Sequence, residues 1–150
     1  HKFGLNYRLP DVLCALGISQ VKRIESFKKS RIEIFNQYFR LFDNVNDLIR
    51  PFQNPHTLPM WHFFPIQVPS EIRKDLFMQL RTKGIGVQVN YLPAYRHPVF
   101  YNYKINVKDF PNSEKFYSSE ISLPIFNDLK IQNVSYISET VIKVLNKLIS

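Results

Sequence analysis

Two short segments of the sequence hold residues of the types that bind phosphorylated ligands. Residues 4–11 (GLNYRLPD) form a polar turn before an apolar helix, where Asn6 supplies an amide and Arg8 a guanidinium. Backbone N–H groups and side chains of this kind at a helix entrance can hold a phosphate group. The same residues are also compatible with an ordinary N-terminal cap, and their spacing alone favours that simpler interpretation.

The second segment, residues 89–98 (VNYLPAYRHP), follows a predicted strand directly. It places Tyr91, Tyr95, Arg96 and His97 close together, with prolines at positions 93 and 98. Loops that leave strand ends are frequent ligand sites, because a rigid scaffold positions them. A surface loop whose tyrosines fold onto the core is an equally good explanation of the pattern.

The rest of the sequence shows no complete catalytic set. The four histidines, at positions 1, 56, 62 and 97, lack the spacing of metal ligands. Neither a Walker A sequence nor a GxGxxG sequence is present. No pair among the twelve carboxylates stands out for acid–base chemistry. Residue spacing therefore predicts neither a metal site nor a catalytic residue.

Composition predicts one globular domain, or the larger part of one. The 150 residues are 45% hydrophobic and include a single cysteine, which excludes a disulfide framework and suits a reducing compartment. No apolar run approaches the roughly 20 residues that a membrane helix needs. We therefore expect a soluble, cytoplasmic α/β domain without a membrane segment.

The net charge of +8 raises the question of an anionic partner. One dense patch carries part of it: Lys22, Arg23, Lys28, Lys29 and Arg31. A solvated helix face is the first interpretation of such a patch, and a site for phosphate groups is the second. An RNA surface comes last, because the sequence shows no RRM signature and no zinc-finger spacing. We therefore expect no nucleic-acid partner.

Hydrophobic periodicity and turn residues predict the elements that position these segments. A long N-terminal helix is expected over residues 9–42, with a break near Gly17 or Ser30. The further elements are a strand at 61–68, a helix at 70–83, a strand at 85–89, a short helix at 113–119, a strand at 121–123 and a helix at 132–148. Pro65 suggests that the first strand lies at an edge or carries a bulge. The pattern predicts an α/β fold with a small sheet of about three strands, antiparallel or mixed, and flanking helices.

The two segments, in this order, resemble motifs of the DegT/DnrJ/StrS family of PLP-dependent sugar aminotransferases. The family pattern G-x-N-x-R-[LM]-x-[DE] is matched by residues 4–11, and A-L-G-I-S-Q follows at residues 15–20. Residues 84–95 (GIGVQVNYLPAY) match the family's G-I-x-(V/T)-x-x-H-Y-x-P element, and residues 122–124 match its later S-L-P. The resemblance covers nearly the whole chain.

The resemblance implies a fold and a reaction. The chain would be the C-terminal small domain of a fold type I PLP aminotransferase, and the upstream PLP-binding large domain would be absent. Residues 1–42 would form the motif loop and connecting helix, and residues 43–150 the small α/β domain. Pyridoxal phosphate would carry an amino group from glutamate to C4 of a UDP-4-keto-6-deoxy sugar in a homodimer. The Schiff-base lysine lies upstream in the family, so the chain alone is expected to be inactive.

Site residues follow from the same resemblance, position by position. Asn6 matches the asparagine that reaches the PLP phosphate of the neighbouring subunit, and Arg8 matches the motif arginine, a phosphate contact or a structural ion pair. Tyr91 matches the tyrosine near the nucleotide-sugar phosphates, and Tyr95 and His97 lie in the same substrate loop. The chain departs from the family at three positions, which concerns sugar specificity more than fold: Asn90 for His, Ala94 for a larger apolar residue, and His97 for Gln.

Two other functions remain compatible with the residues. A non-catalytic nucleotide-sugar-binding or interaction module would use the basic helix and the tyrosine-rich loop without a catalytic set. RNA binding through the basic patch would show a steep salt dependence.

Overall fold

The computed structural model describes residues 7–150. Five α-helices and two strands follow one another along this part of the chain: α1 Asp11–Val21, α2 Ile24–Leu41, β1 Phe63–Gln67, α3 Ser70–Thr82, α4 Pro111–Ser119, β2 Glu120–Pro124 and α5 Ile131–Ile149. Three short 3₁₀ segments lie between α3 and α4: Ala94–Arg96, Pro98–Tyr103 and Val107–Asp109. In the described residues, no helix is long and apolar enough to cross a membrane.

The sheet is antiparallel, which is one of the two arrangements that the sequence predicts. In the described residues it has two strands, where about three are predicted. β1 pairs with β2 from Phe63 opposite Pro124 to Gln67 opposite Glu120. The expected third strand at residues 85–89 meets β2 only at an isolated bridge between Gln88 and Ser122. Val87 turns its N–H back to the carbonyl of Ile85 (2.9 Å). This local bond interrupts the extended ladder, so the prediction of about three strands was wrong by one.

Pro65 occupies a position in β1 where no N–H is needed. Its partner Ser122 directs both its backbone N–H and its carbonyl away from β1, to Gln88. The backbone polar groups of Gln67, two residues along β1, bond to Ile49 on the side opposite β2. Every second residue of a strand directs its backbone N–H to the same side. Pro65 and Gln67 therefore share a side, and the missing N–H of Pro65 lies on the side of β1 away from β2. This confirms the edge position.

An aromatic cluster joins α2 to the sheet. The ring of Phe64, fully buried in β1, lies with its centroid 4.9 Å from Phe35 and 5.1 Å from Tyr38, and Phe42 completes the cluster. α5 packs against both α2 and α3, and its buried side chains recur with the helical period: Val134, Ile137, Val141, Val144 and Leu145. The second half of α2 thus packs into the same core as the rest of the chain. The predicted domain boundary at residue 42 stays a prediction.

Helix α3 ends in the way its sequence predicts. Gly84 adopts a φ of +78°, the left-handed conformation that residues other than glycine rarely tolerate. The N–H of Ile85 bonds to the carbonyl of Leu80, and the N–H of Gly84 bonds to that of Arg81. This is a Schellman arrangement, and the buried side chains of Leu80 and Ile85 supply its apolar contact. The turn directs residues 85–89 onto β2.

The predicted long N-terminal helix is divided into α1 and α2, at Lys22–Arg23 and not at Gly17 or Ser30. The N–H of Arg23 bonds to the carbonyl of Gln20, three residues back, so the helix tightens there and restarts at Ile24. α1 buries none of its residues within the described chain, although Val12, Leu16 and other apolar residues lie along it. The expected apolar stripe is therefore covered only from α2 onward.

Candidate functional site

Residues 90–98 form the segment we call the anchored loop, because polar contacts hold both of its ends. At its start, the backbone N–H of Asn90 donates to Oε2 of Glu120 at 2.9 Å, and Nδ2 of Asn90 donates to Oγ of Ser122 at 3.1 Å. The Ser122 hydroxyl donates in turn to the other oxygen of Glu120. The anchored loop therefore begins two residues after the Gln88–Ser122 bridge, and its first residue, Asn90, is hydrogen-bonded to β2.

Glu120 is a fully buried carboxyl group at the first position of β2. Burial raises the pKa of Glu120 above its ordinary value of 4.5, while the hydrogen bonds from Ser122 and Asn90 act in the opposite direction. Desolvation penalises the charged form, and two donors compensate only part of that penalty. The protonation state of Glu120 is therefore coupled to folding.

This coupling predicts a pH dependence of stability. A carboxyl group whose pKa is raised in the folded state stabilises the fold fully below pH 4.5, and that contribution is lost as the pH rises through the raised pKa. We expect Glu120→Gln, which imitates the protonated form, to lose less stability than the wild type between pH 4.5 and 8. Urea unfolding midpoints over this range measure the difference. Glu139→Gln on the exposed face of α5 is the control. If the difference in urea midpoint between the wild type and Glu120→Gln stays constant over this pH range, the prediction is wrong.

The far end of the anchored loop is held by Glu114 of α4. The Tyr95 hydroxyl donates to Oε1 of Glu114 at 2.7 Å, and Nε of Arg96 donates to the same oxygen at 3.0 Å. Arg96 also forms an ion pair with Oε2 of Glu114. Hydrogen bonds from Arg96 and then Tyr95 hold the pKa of the Glu114 carboxyl below its ordinary value. Glu114 is therefore ionised at neutral pH and accepts all three contacts.

The structure brings two of the predicted substrate residues to one open depression. Tyr91 and Tyr95 both line it, together with Phe110, Phe116 and Tyr117, and its volume is about 740 Å³. His97 lies in the same loop, is exposed, and does not line this depression. The side chain of Tyr91 is 69% exposed, whereas Tyr95 is half-buried.

Tyr91 also lines a second, smaller cavity. Its volume is about 220 Å³, and its lining includes His62, Gln88, Asn90 and Tyr91. Sequence reasoning did not connect His62 with the anchored loop, because nearly thirty residues separate them and no spacing rule relates them. Glu114 and Glu120 were missed for the same reason. Their partners lie 18 to 30 residues away in the chain.

The predicted cofactor residues lie at the other end of the chain. Arg8 is exposed, just before α1, and Asn6 lies outside the described residues. Within residues 7–150, no hydrogen bond or ion pair joins Arg8 to the anchored loop. An exposed guanidinium suits the phosphate end of a cofactor. Arg8 therefore stays a predicted contact for the cofactor phosphate.

The basic patch on α2 is partly structural. Nε of Arg31 donates to Oδ1 of Asn127, and its Nη1 donates to the carbonyl of Trp61, both at 3.1 Å. The guanidinium of Arg23 lies over the ring of Phe27 at 4.7 Å. These contacts engage two of the five charges within the fold. Among residues 7–150, no group of three His, Cys, Asp or Glu side chains could hold a metal ion.

A family model of the DegT/DnrJ/EryC1/StrS aminotransferases matches residues 1–142. The UDP-4-amino-4,6-dideoxy-N-acetyl-β-L-altrosamine transaminase of Campylobacter jejuni is 32% identical over 149 residues. That alignment covers 97% of this chain and 39% of the relative. The chain therefore spans about two fifths of the length of the curated relatives that it matches.

Solved structures agree with the sequence comparison. Helicobacter pylori PseC, an aminotransferase involved in the biosynthesis of pseudaminic acid, superposes with a TM-score of 0.85 and 27% identity. The superposition covers 98% of this chain and 40% of PseC. Spr1654 of Streptococcus pneumoniae in its PMP form gives a TM-score of 0.86 at 25% identity, over 93% of this chain and 36% of that one. The predicted fold class, a part of an aminotransferase, is confirmed. Within the family, residues 11–20 and 84–89 most resemble the pseudaminic-acid transaminase, and the relatives from Campylobacter jejuni and Helicobacter pylori agree with this resemblance.

Proposed function

The chain belongs to the DegT/DnrJ/EryC1/StrS aminotransferase family, and on this premise we propose that it is the C-terminal part of a PLP-dependent sugar aminotransferase. The acceptor would be C4 of a UDP-4-keto-6-deoxy-N-acetylhexosamine, the amino donor glutamate, and the product a precursor of a surface sugar. The observation that carries the proposal is the match over 97% of the chain to a transaminase of this substrate class. The complete protein would act as a cytoplasmic homodimer.

The chain's own residues would contribute in two places. Asn6 and Arg8 would hold the phosphate of pyridoxal phosphate, with Asn6 reaching the cofactor of the neighbouring subunit. Tyr91 would contact the phosphates of the sugar nucleotide, with Tyr95 and His97 in the same loop. When bound, the cofactor supplies an electron sink that no side chain of this sequence provides.

Covalent attachment of the cofactor is the experiment that tests this proposal. Borohydride reduction of the complete protein loaded with PLP, followed by peptide mapping, should locate the modified lysine in the segment that precedes His1. Modification of a lysine within residues 1–150, or of none, would overturn the proposal.

The role of Asn6 predicts weaker cofactor retention in Asn6→Ala. Losing one hydrogen bond to a charged phosphate costs about 1.5–3 kcal/mol, equivalent to about ten- to a hundredfold in affinity. PLP retained after gel filtration of the complete protein, quantified by absorbance, measures this effect. Asn133→Ala at the exposed start of α5 is the control. Retention in Asn6→Ala equal to that of the control would refute the assigned role.

One observation favours a second candidate, a nucleotide-sugar-binding module without catalysis. The depression beside Tyr91 and Tyr95 is lined by further aromatic side chains, Phe110, Phe116 and Tyr117, which offer a stacking surface to a nucleotide base. Titration of residues 1–150 with a UDP-sugar separates the two candidates, since an independent module requires binding by the isolated chain. No binding at millimolar ligand would exclude it.

A further inference from the structure

The anchored loop belongs to a long stretch that contributes little to the hydrophobic core. Within the described residues, the buried apolar core passes from Val87 directly to Ile121, and the partly buried apolar residues packed against it also lie outside residues 88–120. The main hydrophobic core therefore does not fix the position of the anchored loop. Polar contacts to α4 and β2 hold it instead, together with local aromatic contacts.

Glu114 makes the contacts at the far end of this loop. Both of its oxygens face Arg96, and Oε1 also accepts the hydroxyl of Tyr95. A bidentate pair between arginine and a carboxylate restricts orientation as well as distance. Two aromatic contacts add to these: the Tyr95 ring stacks on Phe110, the residue before α4, with a centroid distance of 4.6 Å, and Arg96 lies 5.8 Å from the ring centroid of Tyr117 in α4.

The near end of the loop is fixed on the element that follows α4. α4 ends at Ser119, and β2 begins at Glu120, the residue that accepts the N–H of Asn90. The two carboxylates thus sit on consecutive elements and hold the loop at residues 90 and 95–96. Between these points the side chain of Tyr91 stays open to solvent.

We infer that Glu114 is a positioning residue, which fixes the far end of the anchored loop so that Tyr91 meets the phosphates of the sugar nucleotide. The identity of that ligand rests on the proposed function. Glu114 itself need not touch the ligand, because its oxygens are engaged by Tyr95 and Arg96. Its loss should loosen the loop and leave the core of α2, α3 and α5 in place.

Steady-state kinetics of the complete enzyme test the inference. Glu114→Gln and Tyr95→Phe should each raise the KM for the sugar nucleotide about three- to tenfold, the value of one hydrogen bond, with kcat and the KM for glutamate changed less than about twofold. The effects of the two changes should be less than additive in the double variant, because the contacts of Tyr95 and Arg96 converge on the one carboxylate of Glu114. Glu139→Gln and Tyr136→Phe, exposed on α5, are the matched controls.

Amide hydrogen exchange of the same proteins supplies a readout that needs no ligand. Residues 91–96 should exchange faster in Glu114→Gln than in Glu139→Gln, with α2 and α5 unchanged. Unchanged exchange at 91–96, or an unchanged KM in an active enzyme, would overturn the inference. Faster exchange in a protein that does not aminate the sugar nucleotide would count against the proposed function and leave Glu114 as the residue that orders the loop.

Discussion

Replacing Phe64 with alanine should lower the free energy of unfolding of the chain by about 3–5 kcal/mol, the range observed when a fully buried phenylalanine is truncated. Phe64 is 0% exposed and lies among the rings of Phe35, Tyr38 and Phe42. It connects α2 to β1, so its removal leaves a cavity at the junction of helix and sheet. Because whole domains are stable by about 5–15 kcal/mol, this single change removes a large fraction of the total.

The single tryptophan offers a direct probe of that unfolding. Trp61 stacks on Phe35 with a centroid distance of 4.1 Å, so its fluorescence reports on the same cluster. Urea unfolding followed at Trp61 measures the change in free energy. Phe52→Ala is the control, since Phe52 is 84% exposed and its truncation should cost less than about 0.5 kcal/mol. A loss below about 1 kcal/mol for Phe64→Ala would contradict the assigned core.

The isolated chain should have no transaminase activity, whereas the complete protein should be active. Amino transfer needs a cofactor held covalently and oriented against the substrate. The resemblance puts the attaching lysine before His1, and none of the lysines in residues 1–150 lies in that motif. With PLP, glutamate and the keto sugar supplied, residues 1–150 should show no product above the rate with free PLP alone. Turnover by the isolated chain would show that an essential group had been placed on the wrong part of the protein.

Local sequence signals predicted the parts of the fold that local chemistry decides. Gly84 ends α3 because a left-handed residue is needed there, and the periodic apolar residues of α5 face the core. The number of strands depended instead on a local backbone hydrogen bond that competes with pairing to β2. The alternation at residues 85–89 is typical of a strand, yet the N–H of Val87 bonds to Ile85 and only Gln88 pairs with β2.

The candidate site divides in the same way. The motif at residues 84–95 predicts Tyr91 and its loop as part of the site, because the motif lies within one short segment of the sequence. The carboxylates that hold the loop could not be inferred, since Glu114 and Glu120 reach it across 18 to 30 residues through tertiary packing. Likewise, α1 has an apolar sequence but buries no residue within the described chain, and a helix pattern alone does not say what covers it.

Amination of a UDP-4-keto-6-deoxy-N-acetylhexosamine by the complete protein, with PLP and glutamate, tests the central claim most directly. Product analysis by NMR should show a 4-amino sugar nucleotide, formed in proportion to 2-oxoglutarate. Tyr91→Phe should weaken use of the sugar nucleotide, and Tyr136→Phe should not. A complete protein that binds PLP but forms no amino sugar from this or related keto sugars would contradict the claim.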